Sequence, residues 1–337
     1  MIGMSDSSQS LLDNIRSSNG SEGLKNYYHD LLRSNRKKAL EMINDPKLQF
    51  GILFLLRHEL LKASATGELN PLYRNVLRIV EMLAAGKNMQ AERVIHSGGN
   101  DSVTAIRWIV KTGYIESDSG NDLEYYEQLM EKSAALLTKS FRVTAALPEL
   151  AEMIFLRNRS GRLIHELVWA FFEARSPESL LLLAQRLVST DIRDAELARR
   201  LLCFIPDVEK TSMLSGSALY SRVINWLQEN KPFLYYTGES LHLCNLPVHY
   251  AISSAAKYLC HPVSVDHGDP LPALNEFESE LSSQFGRLPE QQQQQLANFS
   301  HMLCRRNIYQ WNAWIQLPLH QQINLALHAA SGQGGLS

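Results

Sequence analysis

The chain has 337 residues, of which 45% are hydrophobic and 20% charged, and its formal net charge is −2. This composition excludes a disordered chain, and the small net charge excludes a global field that would attract nucleic acid or an acidic membrane. The longest apolar runs, 50–56 and 167–172, fall far short of the roughly 20 residues that a membrane-spanning helix needs.

The cysteines and the first residues of the chain bear on where the protein works. Cys203, Cys244, Cys260 and Cys304 are widely spaced. Four thiols at such spacing do not make a disulfide framework, so the sequence predicts free thiols in a reducing, cytoplasmic setting. Residues 1–23 are rich in Ser, Gly and Asn and lack the basic and apolar regions of a secretory signal. We expect them to form a flexible leader.

Helix signals dominate the chain. Asn70 and Pro71 are an N-cap and a first-turn proline ahead of apolar residues at helical spacing. Asn121 and Glu124 match a capping box that opens a further helix. Strand alternation and Asn-Gly turns are nearly absent, so the sequence predicts an all-α fold with no significant sheet.

Between Gly161 and Pro206 three helices are predicted in close order, joined by short connections. Their ranges are 163–174, 177–189 and 191–205. This pattern resembles the antiparallel helical hairpins of a HEAT-like α-solenoid. No fixed-period repeat extends along the rest of the chain, so an irregular multi-helix bundle is the other interpretation. We expect an N-terminal helical array over residues 24–206.

A shift in composition near 206–216 predicts a boundary to a C-terminal helical domain over 207–330, which is richer in His, Pro, Gln and Trp. Three prolines and several turn residues indicate a loop at 261–272. The Gln run at 291–295 is typical of a polar helix face. The Gly-rich residues 331–337 predict a flexible tail.

The second half also contains the best candidates for metal ligands. His242 and Cys244 are one residue apart, and Cys260 and His261 are adjacent. Zinc takes four N or S ligands, usually as pairs with spacers of two to four residues, which neither pair has. Buried cysteines and surface histidines are the simpler interpretation, and a zinc site at 242–267 is kept as an alternative.

A second alternative is DNA binding by residues 89–118. A helix, a turn at Gly98-Gly99 and a second helix ending in Gly113-Tyr114-Ile115 resemble the recognition helix and first wing strand of a winged helix-turn-helix. The resemblance places base and phosphate contacts at Ser102, Thr104, Arg107 and Lys111. The second helix also has an ordinary apolar face, so the segment fits a plain helical hairpin equally well.

No motif names a reaction. His58-Glu59 and His165-Glu166 lie in apolar helical stretches, and neither is followed by the second His of a zinc-protease helix. The chain has no Gly-x-Ser-x-Gly elbow and no phosphate-binding loop. The sequence therefore predicts no cofactor and favours a protein that is not an enzyme. An enzyme built around 242–267 stays an alternative, because a pocket assembled from distant residues leaves no local pattern.

Doubled aromatic residues are the main hint of a partner surface. Tyr235 and Tyr236 are adjacent, and Trp311 and Trp314 are one helical turn apart. Adjacent aromatic residues on one helix cannot both face the same core, so one of each pair leans toward an edge, where Tyr and Trp act as interface anchors. We predict that these four residues bind a partner.

A helical array without a catalytic signature most often presents a surface to another molecule. We therefore expect a non-enzymatic interaction or scaffold protein that binds another protein, with nucleic acid as the less favoured partner and no membrane span. An exported effector or a component of a secretion apparatus is a further alternative, which rests only on the Ser-rich leader.

Overall fold

The structure of the protein is a computed structural model that describes residues 10–84, 92–93, 95, 97–114, 123–206, 208 and 215–332. Apart from one two-stranded sheet, the regular structure in these ranges is helical, which confirms the all-α class. None of the helices in the described ranges is long and apolar enough to span a membrane. The chain divides into two compact units, Met1–Ala174 (unit 1) and Arg175–Ser337 (unit 2).

The unit boundary lies at Ala174, whereas composition placed it near Pro206. The regular HEAT-like solenoid is not confirmed, because this division separates the first of the three closely spaced helices from the other two. The second of them is not one helix either, since 3-10 turns at Pro177–Ser179 and Gln185–Val188 flank a short α-helical stretch. A change in composition marks where residue types change, whereas a compact unit depends on which helices pack together.

Unit 1 contains eight α-helices in its described residues. They are α1 (Leu11–Ser34), α2 (Arg36–Ile43), α3 (Phe50–Lys62), α4 (Pro71–Ala84), α5 (Gly99–Gly113), α6 (Leu123–Ala135), α7 (Leu147–Arg159) and α8 (His165–Glu173). Helix α6 continues directly into a π-helical turn at Leu136–Ser140. Helices α4 and α5 pack together, and α6 packs against α8.

Helix α1 begins inside the segment predicted to be a flexible leader. The Ser10 hydroxyl accepts the backbone N–H of Asp13 at 3.2 Å, and the Asp13 carboxylate accepts the backbone N–H of Ser10 at 3.2 Å. This capping box fixes the first turn, and Leu12 and Leu24 are fully buried. The segment is therefore helical from Leu11, with a break at Gly20, whose φ is +72°. Residues 1–9 lie outside the described ranges.

The core of unit 1 is built around α3. Nine of its thirteen residues are buried, which is the pattern of a helix that is apolar on nearly all sides. The rings of Phe50 and Phe54 lie 5.5 Å and 5.0 Å from the ring of Tyr126 on α6. Phe50 also meets Trp108 of α5 edge-on at 6.1 Å. Aromatic packing therefore joins α3 to α5 and α6.

Unit 2 contains eight α-helices and two short strands in its described residues. They are α9 (Leu180–Ala184), α10 (Ile192–Leu201), α11 (Gly216–Asn230), β1 (Leu234–Tyr236), β2 (Tyr250–Ile252), α12 (Ser254–Tyr258), α13 (Glu276–Gly286), α14 (Glu290–Arg306), α15 (Ile308–Ile315) and α16 (Leu319–Gly332). Strands β1 and β2 are antiparallel, with Tyr235 opposite Ala251. The predicted loop at 261–272 contains no helix, and α16 extends into the predicted tail. Residues 333–337 lie outside the described ranges.

The core of unit 2 combines rings with polar ties. Tyr258 of α12 stacks on Phe285 of α13 at 4.6 Å. The buried ammonium of Lys257 donates to the side-chain oxygens of Asn230 and Asn298, both at 2.6 Å. The Tyr258 hydroxyl donates to the side-chain oxygen of Gln322 at 2.6 Å. The five-residue helix α12 is thus held by hydrogen bonds to α11, α14 and α16.

Candidate functional site

A loop of unit 2 joins β1 to β2 and carries exposed aliphatic side chains. We call residues 237–249 the apolar loop. It begins with Thr237 and Gly238, and Gly238 has a φ of +83°, a left-handed conformation that glycine adopts without strain. The sequence Leu243-Cys244-Asn245-Leu246-Pro247 cannot continue either strand, because proline lacks the N–H that a strand ladder needs.

The two ends of the apolar loop are bound together. The backbone N–H of Thr237 donates to the carbonyl of His249 at 3.1 Å, and the Thr237 hydroxyl donates to the carbonyl of Val248. The Glu239 carboxylate accepts the N–H of Val248 at 2.8 Å. The backbone N–H groups of Leu243 and Cys244 donate to the carbonyl of Ser240 at 2.9 Å and 3.1 Å. These bonds hold the two ends of the loop together and form a turn over residues 240–244.

His249 completes the base of the apolar loop. Its ring is almost fully buried, its Nδ1 lies 3.1 Å from the Glu239 carbonyl, and Phe204 meets it edge-on at 6.2 Å. Because the carbonyl can only accept, the Nδ1–H donates. Burial lowers the pKa of His249 to about 4, and the bond to the Glu239 carbonyl opposes the shift only in part. His249 is therefore neutral at pH 7.

The tip of the apolar loop presents its side chains to solvent. Leu243 is 75% exposed, Leu246 48% and Val248 39%. Cys244 between the two leucines is exposed as well, whereas Pro247 is buried. Three exposed aliphatic side chains thus lie within six residues of one loop, and contiguous exposed apolar surface marks interaction sites more often than isolated exposed leucines do.

Of the two tryptophans predicted to bind a partner, Trp314 lies in the core of unit 2 and Trp311 is half-buried at its edge. Trp314 is 4% exposed, and its ring meets Phe299 at 5.4 Å and Tyr258 at 6.1 Å. The Trp311 Nε1–H donates to the Ser300 hydroxyl at 2.8 Å. Both side chains pack between α14 and α15; Trp314 is thereby removed from the surface, whereas Trp311 stays partly exposed.

The two tyrosines of β1 have separate environments. Tyr236 is buried, with its ring 6.1 Å from Tyr250 and 5.2 Å from the guanidinium of Arg175. Tyr235 is half-buried and covers Gly268, where a Cβ atom would come within 2.9 Å of the ring. Neighbouring residues of a strand point to opposite faces of the sheet. Two adjacent tyrosines on β1 therefore do not require that either ring lies at an interface.

The residues predicted to bind DNA lie on α5 of unit 1. Thr104, Arg107 and Lys111 share the exposed face of this helix, whereas Ser102 is buried. Asp101 is also exposed, at the helix start, where base contacts would be made. The predicted wing at 115–118 lies outside the described residues. The structure therefore brings three of the four residues to one surface and removes Ser102 from it.

The residues predicted to bind zinc do not converge. Among the described residues, which include all four, no group of three or more His, Cys, Asp or Glu side chains could hold a metal ion. His242 and Cys244 lie on the apolar loop. The Cys260 thiol donates to the Ser300 carbonyl at 3.8 Å, and the His261 Nε2 lies 2.9 Å from the Glu278 carboxylate. Each pair is thus engaged in its own surroundings.

Sequence reasoning missed Leu243, Leu246 and Val248. Leu243 and Leu246 lie between Gly238 and Pro247, and Val248 directly follows Pro247. Glycine and proline around aliphatic residues that lack helical spacing indicate a loop, and this signal was present in the sequence. Comparison with protein-family models finds no matching family, and comparisons with curated proteins and with solved structures find no match.

Proposed function

We propose that this protein is a non-enzymatic interaction or scaffold protein, and that the apolar loop of unit 2 is its contact with a partner protein. The observation that carries the proposal is the exposure of Leu243, Leu246 and Val248 on a backbone closed by hydrogen bonds. The four thiols are free, which supports a reducing cytoplasmic location for this interaction.

The energetics favour binding through the loop tip. Fully burying an exposed leucine side chain contributes about 1.5–3 kcal/mol, and Leu243 and Leu246, 75% and 48% exposed, would contribute part of that each to an interface. A loop whose backbone is already fixed loses little conformational entropy when it binds. Leu243 and Leu246 therefore act as preformed anchors, and the partner must offer a concave apolar site to receive them.

The charge of the loop points to the class of partner. Residues 237–249 contain no lysine or arginine, and the Glu239 carboxylate already accepts a bond from the Val248 N–H. Nucleic acids and acidic membranes are bound mainly through basic side chains, so neither fits this surface. A protein groove lined by apolar side chains fits it.

The test is retention of proteins from a lysate of the source cells by the immobilised full-length chain. Three forms are compared: the wild type, the double variant L243S/L246S, and the control L163S, which removes a 79% exposed leucine of unit 1. We expect a protein retained by the wild type and the control and lost with the double variant. Purified, that protein should bind L243S/L246S at least tenfold more weakly than the wild type, as the loss of two buried leucines implies.

Two outcomes would overturn the proposal. Retention of the same proteins by all three forms would show that the apolar loop makes no contact. Retention of nucleic acid alone, lost when Arg107 and Lys111 on α5 are replaced by glutamine, would transfer the function to the DNA-binding alternative.

A further inference from the structure

Unit 1 contains a cavity of about 460 Å³ that the proposed protein contact does not use. It lies among α6, its π-helical continuation Leu136–Ser140 and α8, with the end of α4 on one side. Its size is within the range of small-molecule sites. A π-helical turn is uncommon and is frequently found at functional sites, and here it contributes Leu136, Lys139 and Ser140 to the wall.

One wall of the cavity already holds an ammonium group on an aromatic face. The Nζ of Lys139 lies 5.1 Å from the centre of the Trp169 ring, within the distance of a cation–π interaction. Lys139 is exposed, so its flexible side chain is able to move into solvent. Trp169 thus forms a cation subsite whose present occupant comes from the same chain.

Carboxylates border this subsite. Glu131 and Glu166 both line the cavity, and Glu131 is held by Arg157 at 2.5 Å. Burial raises the pKa of Glu131, Arg157 counteracts this, and the neighbouring Glu166 and Glu127 add to the rise. Negative charges that raise the pKa of a neighbouring acid also attract a cation.

The other positively charged side chain of the cavity wall, Lys132, is hydrogen-bonded to the end of α4. The Lys132 ammonium donates to the carbonyl of Leu83 at 3.2 Å, at the last turn of α4, where a cation complements the helix dipole. Leu83 and Leu136 supply apolar surface beside the charged groups. The cavity therefore combines an aromatic face, carboxylates and an aliphatic wall.

We propose that this cavity binds a small aliphatic amine, with the ligand's ammonium taking the place of the Lys139 ammonium on Trp169. The methylene chain packs on Leu83 and Leu136, and the carboxylate of Glu166 balances the positive charge, since that of Glu131 is paired with Arg157. Primary amines are protonated at pH 7, as the usual pKa of lysine shows. Lys139 is then an internal competitor that keeps the site closed to weakly held cations.

The test is a ligand-observed NMR titration of the full-length chain with 1-aminobutane at constant ionic strength. We expect saturable binding to the wild type, at least threefold tighter binding to K139Q, and at least threefold weaker binding to W169L and to E166Q. The K37Q variant removes an exposed lysine elsewhere in unit 1 and controls for net charge. The uncharged 1-butanol should not bind.

Variant W169F keeps an aromatic face and should bind with intermediate affinity, which separates loss of the ring from loss of folding. Circular dichroism of each variant checks that the helices are intact. Absence of saturable binding to both the wild type and K139Q would overturn the proposal. Equal effects of K139Q and K37Q on binding would also overturn it, because the change in affinity would then follow from the net charge of the chain alone.

Discussion

The central helices of the two units are stabilised in different ways. In unit 1, α3 has thirteen residues and buries nine of them, with rings from α5 and α6 packed around Phe50 and Phe54. In unit 2, α12 has only five residues and is held by side-chain hydrogen bonds from Lys257 and Tyr258. A long helix gains enough free energy of folding from apolar burial alone, whereas a helix of about one and a half turns does not.

This difference predicts which substitutions destabilise each unit. A core that depends on ring volume responds to the loss of volume, because a cavity remains where the ring was. A short helix held by buried polar groups responds to the loss of one partner, because the other partner is left unsatisfied. Loss of a ring should therefore destabilise unit 1 most, and loss of a buried polar partner should destabilise unit 2 most.

Removal of the Phe54 ring should have the largest effect on unit 1. Its ring meets those of Phe50, Tyr125 and Tyr126, and the Arg57 guanidinium lies 3.9 Å above its centre. We expect Phe54→Ala to lower the free energy of unfolding by about 3–5 kcal/mol, and Phe54→Leu to cost clearly less. Hydrogen exchange with mass spectrometry should show the loss in α3 and α6. Equal loss of protection in α12 would contradict the comparison.

Acid should weaken unit 2 through His249. The pKa of His249 is about 4 in the folded state and 6.5 in the unfolded chain, so the unfolded chain binds a proton first as the pH falls. The free energy of unfolding therefore falls between pH 6.5 and pH 4, by at most about 3 kcal/mol. Urea unfolding at pH 7.0, 5.5 and 4.0, followed by tryptophan fluorescence, measures this. His249→Gln, which does not titrate, should flatten the pH dependence.

The buried carboxyl group of Asp13 and the half-buried one of Glu131, both in unit 1, act in the opposite direction. Burial raises the pKa of Asp13 above 3.8 and that of Glu131 above 4.5. Their folded state binds more protons than the unfolded chain just above these values, so their contribution to stability grows as the pH falls through that window. Hydrogen exchange at pH 7.0 and 4.5, corrected for intrinsic rates, should therefore show unit 2 opening more than unit 1.

Lys257→Met tests the polar ties directly. The substitution keeps most of the side-chain volume but leaves the oxygens of Asn230 and Asn298 without a donor. We expect a loss of about 2 kcal/mol, which hydrogen exchange should localise to α12 and α14. Adding Asn230→Leu and Asn298→Leu to the same chain should recover part of the loss. No recovery would mean that the ammonium itself, and not the orphaned oxygens, stabilises the helix.

The smallest effect is expected at the tip of the apolar loop. Leu243→Ser removes an exposed side chain from a loop closed by backbone bonds, so the free energy of unfolding should change by less than about 0.5 kcal/mol. Thermal unfolding measures this. A large loss would show that Leu243 packs within unit 2, and its use as an anchor for a partner would then be excluded.

Local signals in the sequence predict the helices well. The Asn70 side chain accepts the N–H of Tyr73 at 2.8 Å at the start of α4, and the Asp191 side chain accepts the N–H of Arg193 at 2.9 Å at the start of α10. The Gln run lies within α14, as expected. The capping box predicted at Asn121 lies outside the described residues. Caps and periodicity succeed because they act within a few residues.

The candidate site was much less predictable, for a physical reason. Spacing alone places Trp311 and Trp314 on one helix, but whether their rings face solvent depends on α12 and α14, which pack against them from elsewhere in the chain. The apolar loop depends likewise on a bond between Glu239 and Val248 that no pattern encodes. Contacts that no local spacing rule relates decide both outcomes.

The exposed thiol of Cys244 gives the loop a built-in chemical reporter. The other three cysteines are only partly accessible, and burial raises the pKa of Cys260, which slows its alkylation. A maleimide dye should therefore react first at Cys244, between Leu243 and Leu246. A partner bound to the apolar loop would cover this sulfur. The rate of labelling therefore measures the fraction of chains whose loop is occupied, and no engineered residue is needed.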